Sequence, residues 1–414
     1  MLFIVETFFV CLYLICIKRN CFMRKILFLL TALFALFACN NDDDELHGPV
    51  THDKVDRTIL IYMAANNSLY GNVQENLDSI TAGYIDADTD GRLLVYLDNA
   101  RTDAAVLYQY QIGADKQLVK QIIKEYQEPW NSVSPSNMSQ VIKDAFSAYP
   151  AESYGIVLWS HALSWVPADK TLTRSWGDDA GYSMNIADLA TTLESVPGVH
   201  FDFILFDACF MSTVEVAYDL RKASDYIIAA PTEILEFGFP YKSLTRQMFK
   251  YNSATISSLA ECYADYYDGT TKTRNGIVTR MEGTMAMVKC SEMDNLASVT
   301  RAIMTAHVGD VPKVNPNSLQ KYFRFNEHSF AYDFKDFMNT FATPSEMEVL
   351  EQQLDKAVPY KYTTDRFIGL NIDKDRYSGV ATHVFKDRGN TWDNYYKTIG
   401  WYTAAGWDKV YEAE

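Results

Sequence analysis

Tyr154-Gly-Ile-Val-Leu-Trp-Ser-His161 and Phe201-Asp-Phe-Ile-Leu-Phe-Asp-Ala-Cys209 are two apolar runs of strand length, each ending in a residue with acid–base or nucleophilic chemistry. Neither alternates polar with apolar residues, so each reads as a strand covered on both faces. Thr58-Ile-Leu-Ile-Tyr-Met-Ala-Ala65, Arg92-Leu-Leu-Val-Tyr-Leu-Asp98 and Tyr226-Ile-Ile-Ala-Ala230 share this character. Helical periodicity fills the intervals near 69–80, 136–149, 185–196 and 211–223, with Ser136 and Asn185 as N-caps. The fold class is therefore α/β, a mostly parallel sheet flanked by helices. Sites in such sheets lie beyond the carboxyl ends of the strands, which singles out His161 and Cys209, one crossover unit apart.

Each residue alone has a plainer reading, a small buried thiol and a satisfied core imidazole. Together they form a candidate dyad. Cys209 precedes the helical window Met211–Leu220, and a helix N-terminus favours thiolate over thiol. The imidazole supplies a second means of lowering the thiol pKa, or holds the proton that a leaving amine needs. The backbone N–H groups of Ala162 and Cys209 are candidate oxyanion donors, worth roughly 3 kcal/mol each in acyl transfer.

Composition narrows the partners. With 37 Lys plus Arg against 53 Asp plus Glu, the chain carries a net charge of −16, which repels phosphate backbones and excludes nucleic acid as an expected partner. Seven Cys are present, and only Cys209, Cys262 and Cys290 fall in the folded body, which is no disulfide framework. Leu2–Ile17 and Ile26–Ala38 are apolar runs, the second following Met23-Arg24-Lys25. We read residues 1–22 as an extension upstream of a start at Met23, 23–38 as a signal peptide and 39–57 as an acidic tether. Leu36-Phe-Ala-Cys39 resembles a lipobox, which implies acylation at Cys39 and an outer-membrane lipoprotein facing the periplasm or the cell exterior. Asp86-Ala-Asp-Thr-Asp-Gly91 matches the first half of an EF-hand loop, but its twelfth position is Leu97. A polar turn is preferred there, calcium at Asp86, Asp88 and Asp90 is the alternative, and no metal or cofactor is required.

Ile59-Leu-Ile-Tyr-Met-Ala-Ala-Asn66, Gly155-Ile-Val-Leu-Trp-Ser-His161 and Asp207-Ala-Cys209 together resemble the clostripain family within the caspase-like clan of cysteine peptidases. Gly177-Asp-Asp179 and Asn185-Ile-Ala-Asp-Leu-Ala190 extend the likeness, and Phe367–Asn371 and Ser378–Val380 continue it faintly. The resemblance implies a caspase-like core, with His161 as acid/base and Cys209 as nucleophile. It implies that Asp207 lies at the base of the pocket for a substrate Arg or Lys; a helix-capping Asp is the other reading. Glu233 or Glu236 would supply a second acid, between which the residues do not choose. It also implies a zymogen cut between His and Cys, at Lys170 or, preferably, Arg174. Ala162 departs from the family's Gly at that position and brings a Cβ toward the substrate carbonyl.

The core is assigned to 58–242 and a mainly helical C-terminal subdomain to 243–414, with helices over 254–267, 293–306 and 345–357 and strands over 367–372 and 379–385. The expected function is a lipid-anchored, monomeric cysteine endopeptidase acting on proteins or peptides after Arg or Lys. The alternative is a catalytically silent surface lipoprotein of the same fold that binds protein or glycan.

Overall fold

Every residue from Ile59 to Ala65 is fully buried, because this strand lies at the heart of a nine-stranded sheet. A computed structural model describes residues 52–101, 104–113, 117–168, 175–274, 276–324, 329–385 and 391–412. Within these, β1 (Val55–Ala65) pairs in parallel with β2 (Arg92–Asn99) on one side and β5 (Ala151–Trp159) on the other. The parallel run continues from β5 to β8 (Phe201–Asp207) and on to β9 (Ser224–Ala229). These are the five strands expected from the sequence, and β1 starts at Val55, inside the stretch read as tether.

Alternate side chains of β1 enter two separate apolar layers. Leu60, Tyr62 and Ala64 face α2 (Pro135–Ala148), α3 (Ile186–Glu194) and α4 (Val214–Leu220). Ile59, Ile61 and Met63 face α1 (Val73–Ala87), α5 (Tyr241–Lys250) and α6 (Ser258–Tyr266). Covering both faces is what makes an alternating pattern unnecessary. Gly155 on β5 has a packing reason: a Cβ there would fall 2.5 Å from the ring of Phe203 on β8.

The sheet is wider than its parallel core. Two antiparallel strands, β3 (Ala105–Ile112) and β4 (Leu118–Tyr126), extend it beyond β2, and Lys120 and Lys124 sit on the outer strand, where charge discourages edge pairing. Between β5 and β8 lies a hairpin, β6 (Trp176–Asp179) and β7 (Tyr182–Met184). A second hairpin is β10 (Thr271–Arg274) with β11 (Ile277–Arg280). Beyond them β12 (Thr284–Lys289) pairs with β9, and β14 (Tyr360–Thr363) pairs with β12. The C-terminal portion thus builds one flank of the same sheet, as well as carrying α7 (Met293–Ala306) and α9 (Pro344–Ala357), which follows the short α8 (Phe334–Met338).

Several local expectations shift. Chain 366–371 makes only a tight hairpin, β15 (Arg366–Phe367) with β16 (Leu370–Asn371). The last predicted strand shrinks to β17 (Ala381–Thr382), paired with β13 (Tyr332–Asp333). Helix α2 is capped at Ser134, not Ser136, because Pro135 takes the first helical position. Asn185 does hold the N-cap position of α3, but its side chain accepts from Ala168 N–H at 2.9 Å rather than from the helix. Helix α4 begins at Val214, with Thr213 accepting from Val216 N–H at 3.2 Å. Cys209 therefore lies in the turn before the helix, outside the reach expected of its N-terminal dipole. No helix among the described residues is long and apolar enough to cross a membrane.

Candidate active site

Strands β5 and β8 run parallel, and their register pairs Trp159 with Asp207 at their last residues. His161 and Cys209 each follow two residues later, so they leave neighbouring strands at the same level. The His turn is fastened from below: Ser160 Oγ donates to Ala64 O at 2.8 Å and accepts from Asp178 N–H at 3.0 Å. Gly177 N–H donates to His161 O at 2.8 Å and Leu163 N–H to Ser175 O at 3.1 Å, tying the turn to β6. The N–H of Ala162 takes no part in this ladder. Nε2 of the imidazole lies 2.9 Å from Ser68 Oγ, a contact that sequence reading missed although Ser68 sits just past the quoted Ile59–Asn66 stretch.

The Cys turn is strained and held. Phe210, directly after Cys209, has φ +62°, a left-handed conformation that costs a non-glycine residue about 1–2 kcal/mol. Its N–H donates to Thr232 O at 2.8 Å, and its ring packs edge-on against Phe323 and Phe330 at 5.6 and 5.2 Å. Ser212 N–H donates to Ala230 O at 3.0 Å and its Oγ to Gly379 O at 2.8 Å. Surroundings of this rigidity keep such backbone strain in place.

Cys209 is partly buried, and Ile234 N–H donates to its sulfur at 3.4 Å. Burial pushes the thiol up to about 12; the bond from Ile234 and the Arg324 guanidinium pull it down, while the Glu233 and Asp207 carboxylates push it up. Burial thus favours the protonated thiol of Cys209, against the expectation of a helix-stabilised thiolate. Among the described residues, the N–H groups of Ala162 and Cys209 donate to no protein acceptor, which leaves both available to an oxyanion.

Asp207 lies beneath the thiol turn, with little exposure, under the loop that follows β9. Tyr241 OH donates to its Oδ2 at 2.7 Å and Phe239 N–H donates as well. It caps no helix. Burial raises its carboxyl to about 6, against the lowering by those two donors. Gly238, at φ +63°, brings its backbone onto the carboxylate: a Cβ there would stand 2.7 Å from Asp207 Oδ2. Gly238→Ala is expected to destabilise the fold by at least about 1 kcal/mol and to displace this loop, seen as a lower melting temperature.

Of the two acids left open as second pocket residue, Glu233 lies beside the thiol and Glu236 is exposed on the loop. Glu233 is paired with Arg324, which donates from Nε and Nη2 at 3.0–3.2 Å. Asp178 and Asp179 serve the scaffold. Asp179 accepts from Asn66 Nδ2 at 2.8 Å and from Ser132 N–H, and it crowds Asp98, whose carboxyl burial raises to about 7.

Asp86 lies in the last turn of α1 and pairs with Lys242 at 3.1 Å, Asp88 is the left-handed residue closing that helix, and Leu97 is buried in β2. Among the described residues no cluster of three or more His, Cys, Asp or Glu is arranged to hold a metal. Cys39, Lys170 and Arg174 lie outside the described residues.

A sequence profile of the clostripain family matches residues 61–413, nearly the whole described chain. The chain belongs to the clostripain family of cysteine peptidases. This clostripain-family chain is 33% identical to a secreted C11 cysteine protease of Bacteroides thetaiotaomicron, solved with an irreversible peptide inhibitor; the match covers 86% of this chain and 100% of the other at a TM-score of 0.75. An inactive zymogen C11 protease of Parabacteroides distasonis is similar at 33% identity, over 86% and 99% of the two chains, with a TM-score of 0.73. Clostripain of Hathewaya histolytica is 25% identical over 223 residues, which is 45% of this chain and 41% of clostripain.

Proposed function

We propose that this chain is an endopeptidase that cleaves after Arg or Lys, with Cys209 as nucleophile and His161 as proton carrier. The observation that carries the reading is the β5–β8 register, which sends imidazole and thiol from adjacent strands at one level. In the reaction the sulfur attacks the scissile carbonyl as its proton passes to His161. The N–H groups of Ala162 and Cys209 receive the oxyanion. His161 then returns the proton to the leaving amine, and water releases the acyl group from sulfur, restoring the thiol. Nucleophile and proton carrier are both side chains, so the scheme requires no metal or cofactor.

Asp207 receives the basic side chain, which suits a carboxylate in a partly desolvated slot. A carboxyl titrating near 6 must be ionised to bind a cation, so kcat/KM for a P1 Arg substrate is expected to rise as pH climbs through about 6. Asp207→Asn should remove that limb and lower kcat/KM for Arg far more than for a neutral isostere; an unchanged limb would reassign it.

By the same reading the chain is made as a zymogen, cut at Arg174 or Lys170, and anchored through lipid on Cys39. The burial that favours the protonated thiol of Cys209 fits a form awaiting activation. The test is labelling with an Arg-based acyloxymethyl ketone. Peptide mass mapping should find the adduct on Cys209 of preparations cut after residue 174 or 170. No adduct on a folded, cut chain would favour a binding protein instead.

A further inference from the structure

Thr232–Leu235 forms a strap over the nucleophile. Thr232 O accepts from Phe210 N–H at 2.8 Å, Thr232 Oγ1 meets Thr284 Oγ1 at 2.8 Å, and Ile234 N–H reaches the Cys209 sulfur. Between these anchors Glu233 sends its carboxylate to Arg324, 91 residues further along the chain. The fork geometry, three contacts from two guanidinium nitrogens to both carboxylate oxygens, is the one an incoming Arg side chain would adopt. Arg324 comes from the other side of the same turn, since its neighbour Phe323 packs on Phe210. The side chains of Glu233 and Arg324 are 13% and 31% exposed, so the pair is shielded enough for its charges to act on the site.

We propose that Arg324 is a specificity-determining residue: it neutralises Glu233 beside the nucleophile, leaving Asp207 as the carboxylate that selects the basic residue of the substrate. This deepens the peptidase reading and rests on it. Asp207, Glu233 and Arg324 together carry −1 once Asp207 is ionised; without the guanidinium they carry −2. The cation also disfavours a second basic residue beside the first, so single basic residues flanked by neutral or acidic ones are the favoured substrates. The same positive charge lowers the Cys209 thiol pKa.

The readout is the ratio of kcat/KM for a P1 Arg peptide to that for its citrulline isostere, which differs only in charge. Arg324→Gln should raise this ratio about tenfold, through a lower KM and not a higher kcat, and should admit dibasic peptides. Arg324→Lys keeps the charge and should keep the wild-type ratio. Glu233→Gln removes one negative charge from beside the guanidinium and should lower the ratio about tenfold. The double variant Glu233→Gln/Arg324→Gln restores −1 and should return close to wild type.

Opposite shifts that cancel in the double variant support the proposal. A ratio unmoved by Arg324→Gln in a protein that melts normally overturns it and makes the pair a surface staple. If Arg324→Gln does not fold, Glu233→Gln and the double variant decide by the same criterion. Failure of the wild type to cleave or label would instead sink the peptidase reading itself.

Discussion

Cys209→Ala is expected to abolish peptide-bond cleavage, lowering turnover by at least about 10⁴-fold while the fold survives. Neither of the other thiols among the described residues can take over. Cys262 is buried on α6, with its S–H donating to Leu259 O at 3.2 Å, and Cys290 is buried after β12 at 3.6 Å from Ser224 Oγ. Loss of the Cys209 sulfur frees one N–H, that of Ile234, and removes a single atom, so the melting temperature should move only slightly. Initial rates on an Arg peptide, beside a thermal melt, make the measurement. Activity within tenfold of wild type would remove Cys209 from the chemistry.

His161→Ala is expected to cost about 10²–10⁴-fold in kcat/KM, and its residual rate carries further information. With the thiol held near 12, the thiolate fraction below that value grows tenfold for each pH unit. The variant should therefore show a rate that climbs log-linearly from pH 7 to about 10, where wild type is flat or bell-shaped. A residual rate without that slope would mean that another base deprotonates Cys209. Because Ser68 contacts the ring and not the sulfur, Ser68→Ala should lower the rate far less.

The parts legible in the sequence were those set by burial and topology. Five strands covered on both faces must be apolar along their whole length, and a parallel pair must deliver its final residues to one edge. That reasoning reaches His161 and Cys209 with no side-chain contact known. It misses the start of α4, because the turn at Cys209-Phe210-Met211-Ser212 uses a left-handed Phe210 where no glycine announces one. It also misses β12 and β14, since Thr284-Met-Ala-Met-Val-Lys289 reads equally as a strand or a short helix. Contacts such as Glu233 with Arg324 and Asp207 with Tyr241 join distant stretches, and no local pattern encodes them.

The seam between β5 and β8 has a bearing on what a nicked molecule would be. A cut after residue 174 assigns β1–β5 to one fragment and β8, β9, β12 and β14 to the other, so the sheet itself would be shared across the β5–β8 seam at its middle, with ties such as Gly177 N–H to His161 O also crossing the cut. One piece would own the imidazole and the other the sulfur. Such a two-chain particle should elute as one species yet split into two bands on denaturation. Any agent that parts the halves would silence it at once, since neither half holds a complete set of reacting groups.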